Sequence, residues 1–270
     1  MPEGISTAVA AVTNALFLVG GIYIYLALTR QIAARKPAAV EENTRSFGLA
    51  DLVLALGLAT LFLLNAVIAS SRTGKMVMET NDLIANALIS LGLFVFVAAF
   101  LKVRGFSVTA LAGFARLSFW RGLMTGIILL FAAYPLIYVA DLLTQRVLGT
   151  PSTKQGIVDL FNDSQTLQQR VLIIILAVAI APLVEEFVFR FFIYGVVRRY
   201  LGRFVGLLAN SILFAAVHAH LPSAAPLFVL GSCFTLAYEW SGSILVTMTM
   251  HALFNSLTLT ALAFPELIQQ

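Results

Sequence analysis

The stretch LVEEFVFRFF, residues 183–192, places two adjacent glutamates and an arginine inside a run that is otherwise hydrocarbon. The chain around it has 270 residues, of which 60% are hydrophobic and 11% charged, with a mean hydropathy of +0.95. Soluble domains carry roughly 25% charged residues, so the surroundings of 183–192 are those of a polytopic membrane protein. On insertion scales a charge at the centre of a membrane helix costs about 2.5–3.5 kcal/mol. Three such charges within six residues call for a reason.

Outward from that stretch, eight apolar segments reach or approach the ~20 residues that a spanning helix needs. They run approximately over 8–29, 47–69, 83–101, 122–144, 171–197, 204–220, 223–239 and 243–264. The expected fold is therefore an all-α bundle of about eight transmembrane helices, forming a single transmembrane domain over 1–270. The seventh segment is short and begins at LPSAAP. The N-terminal run lacks a basic n-region and is longer than a signal-peptide core, so it is expected to stay as the first span. Within the polar connection 145–169, KQGIVDLFN (154–162) is expected to form a short interfacial helix. Cys233 is the sole cysteine and is expected to pack as a small apolar group.

Basic residues orient the bundle. Arg30, Arg35, Lys36 and Arg45 follow the first segment, Lys102, Arg104, Arg116 and Arg121 the third, and Arg198, Arg199 and Arg203 the fifth. The alternate loops hold only Arg72, Lys75, Arg146, Lys154 and Arg170. The expectation is cytoplasmic basic loops with both termini outside. The partners expected are the lipid bilayer and a membrane-tethered peptide or protein, and no nucleic acid.

Once loops are set aside, few ionisable groups remain inside: Asp51, Asp141, Glu185, Glu186, Arg190, His218, His251 and Glu239. Asp51 and Asp141 lie near span ends and are expected to be hydrated or capping. Glu239 sits in the turn YEWSGS and is expected to reach water, and His220, beside Pro222, to be interfacial. At ~1.5 Å per residue, Glu185 lies ~21 Å from the Arg199 turn and His218 ~22 Å from Arg203. His251 and Asn255 lie ~14 and ~20 Å beyond Gly242. Three helices thus bring polar groups to a similar depth, as a shared site requires. Glu186 and Arg190 are i,i+4 neighbours able to pair. Glu185 is left without a partner on its own helix, while His251 and Asn255 share a face.

A carboxylate beside an imidazole suits activation of water. N–H donors at i,i+4 suit a developing oxyanion. No Ser, Thr or Cys has a marked base beside it, which argues against a covalent nucleophile. Glu185, His218 and His251 also make a possible zinc set, although no H-E-x-x-H signature is present.

The motifs EEFVFR, FAAVH and HALFN, in that order on late helices, resemble E-E-x-x-x-R, F-x-x-x-H and H-x-x-x-N of the CPBP family of intramembrane proteases. This family includes Rce1-type CAAX prenyl endopeptidases and bacterial abortive-infection and bacteriocin-immunity proteins. The approach YEWSGSILVTMTM and the loop TPSTKQGIVDLFN are similar to it as well. The resemblance covers 150–258, leaving 1–144 as four additional helices. It implies a glutamate-dependent endopeptidase without a cofactor. Glu185 would be the base and His218 would help activate water. His251 and Asn255 would form the oxyanion hole, supported by Glu186 and Arg190. One departure is Phe191, where the family often has Gly after the Arg, a change that bears on substrate identity. The competing expectations are a catalytically idle scaffold, immunity or regulatory protein, a zinc-dependent protease using the same residues, and a proton-relay transporter.

Overall fold

The computed structural model describes residues 3–35, 47–71, 79–108, 113, 116–149, 160–161, 163–164 and 166–264. Among these the regular structure is helical, with no strand. The elements are α1 (Glu3–Ala34), α2 (Leu49–Ser71), α3 (Thr80–Val103), α4 (Phe119–Leu148), α5 (Leu167–Ile175), α6 (Ala181–Glu185), α7 (Tyr194–Val217), α8 (Ala224–Ser241) and α9 (Ile244–Ala263). Two π-helical segments, Leu176–Ile180 and Glu186–Ile193, join α5 to α6 and α6 to α7. Most of the interfacial helix expected over 154–162 lies outside the described residues.

Seven helical stretches are long and apolar enough to cross a membrane, and the chain is a multi-pass integral membrane protein. The fifth stretch, Leu167–Val217, is two limbs. Gly202 breaks it with φ 82° and ψ 171°, a conformation that only glycine adopts without strain. The limbs fold back so closely that a Cβ on Gly206 would stand 3.2 Å from the Arg198 backbone nitrogen. Counting both limbs, the eight expected segments are present.

Without a hydrophobic force between helices in lipid, close approach depends on small residues. Gly122 and Gly126 of α4, four apart, meet α9. A Cβ on Gly126 would stand 2.7 Å from Thr249 Cβ and 2.8 Å from the Val246 carbonyl oxygen. Gly126→Val is expected to push α9 away from α4 and lower stability by about 1–3 kcal/mol, as overpacking does. Thermal unfolding in detergent measures it, and an unchanged midpoint would show that the contact is slack. On α1, Gly21 packs against the Ala132 carbonyl and the Tyr25 hydroxyl donates to the Leu129 carbonyl at 2.9 Å.

At the end of the bundle holding the α8–α9 turn, Glu239 departs from expectation. Its side chain is 7% exposed and pairs with Arg198 at 2.8 Å and Arg203 at 3.1 Å, while the Tyr194 hydroxyl donates to it at 2.8 Å. Two cations and a phenol replace the water it was expected to meet. Arg35 donates to the Glu239 and Trp240 carbonyls and so fastens α1 to the end of α8. Asp51 is buried and takes the capping role expected of it. It caps Gly48 N–H at 2.6 Å and takes two hydrogen bonds from Arg104, at 3.3 and 3.1 Å, which raise the Arg104 guanidinium above its ordinary value. Asp141 accepts from Gln145 at 2.8 Å.

Helices α2 and α3 wall in the second π segment. Phe62 stacks on Phe189 (5.5 Å between centroids), Phe94 meets Phe187 (4.8 Å), and Phe47 meets Phe191 and Phe192. Every residue from Glu186 to Ile193 is buried. Phe191 belongs to this aromatic wall, against Phe47 and Phe187.

Candidate functional site

The site begins with a backbone defect. Pro182 has no N–H and its ring crowds the carbonyl four residues back, which an ordinary helix cannot accommodate. The π segment Leu176–Ile180 lies on that side of it and Glu186–Ile193 on the other. Such widened turns free backbone carbonyls and recur at functional sites. One freed group is used here: Asn255 Nδ2 donates to the Ala177 carbonyl at 2.7 Å, tying α9 to the widened helix.

The pair foreseen between Glu186 and Arg190 forms although the helix is π there and not α. Arg190 Nη1 lies 3.0 Å from Glu186 Oε1, and both side chains are fully buried. The contact is an ion pair off the hydrogen-bonding line, since no guanidinium nitrogen has a directional bond among the described residues. Aromatic faces take up the cation, with Arg190 Cζ 4.1 Å from the centre of the Phe214 ring and 5.0 Å from that of Phe234.

His251 reaches the same carboxylate oxygen, with Nδ1 2.8 Å from Glu186 Oε1. A carboxylate oxygen accepts, so Nδ1 carries the proton and donates. The ring then has Nε2 left for a substrate, and Nε2 donates only when the imidazole holds both protons. Asn255 has likewise committed one of its two N–H groups, to Ala177, and keeps the other.

His218 closes the second limb as its C-terminal cap. Its Nδ1 lies 2.7 Å from the Phe214 carbonyl, an acceptor only, which assigns the proton to Nδ1 and leaves Nε2 with a lone pair. Glu185 is part-buried, and its Oε2 is enclosed without a hydrogen-bond partner among the described residues. It lies within electrostatic reach of both His218 and Arg190. Glu185, Glu186, Arg190, His218, His251 and Asn255 therefore stand together, drawn from three helical stretches. His220 stands apart, with Nδ1 2.7 Å from Ser223 Oγ. Among the described residues no three His, Cys, Asp or Glu side chains are grouped to hold a metal ion.

The residue after His218 is strained. Ala219 has φ 52°, the left-handed position after a helix that glycine ordinarily fills. Ala219→Gly is expected to add about 1 kcal/mol of stability by relieving it. A lower unfolding midpoint in detergent would mean that the Ala219 methyl group holds the turn through packing.

The sequence pointed to the six polar residues but not to what holds them: the Ala177 carbonyl, the Phe234 ring, and the use of Phe214 as both carbonyl acceptor and cation platform. Pro182, three residues before Glu185, was the one visible sign of a ladder defect. A backbone carbonyl leaves no mark in a sequence.

A buried carboxylate, two imidazoles and a carboxamide within a helical membrane bundle define the class of protein: a membrane-embedded protein with an internal polar cluster. A family model described as type II CAAX prenyl endopeptidase Rce1-like matches residues 167–257. That stretch, which holds all six polar residues, is similar to the Rce1-like type II CAAX prenyl endopeptidases and makes up about a third of the chain. Comparison with curated proteins and with solved structures gave no match.

Proposed function

We propose that the protein is an intramembrane endopeptidase that hydrolyses peptide bonds of membrane-associated substrates with a water activated by Glu185 and His218. The observation that carries this is the pair of acceptors left open side by side in function: the enclosed Oε2 of Glu185 and the lone pair on His218 Nε2. A water bonded to both gives one proton to the carboxylate as its oxygen attacks the carbonyl carbon. The oxyanion that forms takes hydrogen bonds from His251 Nε2–H and the second N–H of Asn255. Glu186 is the counter-ion of the doubly protonated His251. Glu185 then delivers its proton to the leaving amine.

Water reaches this depth by an argument of length. The limb 203–217 spans about 22 Å at ~1.5 Å per residue, against ~30 Å of hydrocarbon. Its end, the His218–Ser223 turn, is irregular backbone at membrane depth, which is tolerated where it is buried in protein or lines a wet cavity. Leu221, in that turn, is 72% exposed.

The substrate class is a membrane-tethered peptide, with prenylated CAAX-type peptides as the first to try. The basic loops would face the cytoplasm and the termini the opposite side. The test is cleavage of a lipid-anchored reporter peptide by purified protein in liposomes, before and after prolonged chelation. The expected result is cleavage that chelation leaves intact. Activity that vanishes on chelation and returns with zinc would replace the water mechanism with a metal one through Glu185, His218 and His251.

A further inference from the structure

Helix α8 supplies none of the six polar residues of the site, yet one of its side chains touches both partners of Glu186. Phe234 is fully buried. Its ring centre is 5.0 Å from Arg190 Cζ and 5.4 Å from the His251 ring, tilted 33° to it. Arg190 and His251 share Glu186 Oε1. Because the Arg190 nitrogens have no directional hydrogen bond among the described residues, the guanidinium is placed by the rings it lies on together with the Glu186 ion pair. One turn before Phe234, Gly231 opens the helix surface to the Phe214 ring. A Cβ there would stand 3.0 Å from Phe214 Cδ1. Phe214 in turn contacts Phe234, His218 and His251 at 6.1, 4.9 and 6.0 Å.

We infer that Phe234, seated beside the Gly231 notch, is a positioning residue that sets Arg190 and His251 against Glu186 and thereby aims His251 Nε2 at the reacting carbonyl. This rests on the peptidase reading for its catalytic consequence, but the geometric claim stands without it. Phe234→Leu keeps an apolar side chain and removes the π face. Phe234→Tyr keeps the face.

The experiment measures reporter cleavage and imidazole nitrogen NMR in detergent. The chain has three histidines, so each signal is assignable by substitution. With Phe234→Leu, kcat is expected to fall about 10- to 100-fold, the scale of a small misplacement of a reacting group. KM stays within about twofold, since the ring does not hold remote substrate. The His251 signal moves and that of His220 does not. Phe234→Tyr recovers kcat and the His251 signal. An active wild type with unchanged kcat and His251 signal in Phe234→Leu overturns the inference and leaves the peptidase reading in place. A wild type without peptidase activity, but with the His251 signal moved by Leu and restored by Tyr, overturns that reading and keeps the inference. Equal losses for Leu and Tyr with a still His251 signal reduce Phe234 to packing.

Discussion

Glu185→Gln is expected to lower kcat for a membrane-tethered peptide by about a thousandfold, within the 10²–10⁴ that a positioned general base contributes. Glutamine matches the side chain in size and can still hold a water through its amide oxygen, but it cannot take a proton from that water. Substrate affinity should hardly change, because the group acts on the water and not on distant parts of the peptide. The thermal midpoint should be level with the wild type or above it, since the exchange removes a part-buried carboxylate whose Oε2 has no hydrogen-bond partner among the described residues. His218→Ala is expected to fall nearly as far, and the double variant little further, because groups that act as a unit are not additive. Normal turnover by purified Glu185→Gln would sink the water mechanism. Full biological function in a cleavage-dead variant would move the protein to the scaffold class.

The fold was largely legible because membrane helices announce themselves by length and apolarity, and eight such segments could be counted. The exception was instructive. Leu167–Val217 is divided by the single non-helical residue Gly202, so the division between the fifth and sixth segments showed in the sequence as three arginines around a glycine and not as a long polar gap. The polar residues of the site were legible for a related reason: in hydrocarbon a charge is conspicuous. What supports them was not. Glu239 was read as solvated because it sits beside a turn, but the sequence does not say that two arginines from the turn between the fifth and sixth segments converge on it. His251 and Asn255 were read as free donors at one helix face. Each has a hydrogen bond spent on the widened helix, to Glu186 and to the Ala177 carbonyl. Helical spacing gives the face of a residue but not the tertiary acceptor that meets it, and the π turns around Pro182 shift that acceptor further from any ideal α register.

Glu186→Leu is expected to be the most destabilising of the single substitutions considered, costing about 3–5 kcal/mol, the penalty for leaving a buried charge without its partner. Arg190 is fully buried, its nitrogens make no directional hydrogen bond among the described residues, and Glu186 is an anion in contact with it. The rings of Phe214 and Phe234 cannot replace a carboxylate, since a desolvated cation–π contact is worth only ~2 kcal/mol or somewhat more. Arg190→Met should cost less. Glu186 then still keeps the hydrogen bond from His251, so the remaining carboxylate is not left without a partner. The double variant Glu186→Leu/Arg190→Met removes both charges and fills the space with hydrocarbon, an exchange that elsewhere is often neutral or stabilising by about 1–4 kcal/mol. It should therefore unfold at a higher temperature than Glu186→Leu alone and still fail to cleave, because His251 has lost the carboxylate that holds its Nδ1 proton. Stability recovered without activity is the signature of a pair that neutralises itself while orienting a third group. A double variant no more stable than Glu186→Leu would show that the ion pair is not what the single substitution breaks. One that regained cleavage would show that His251 needs no anchor at Nδ1.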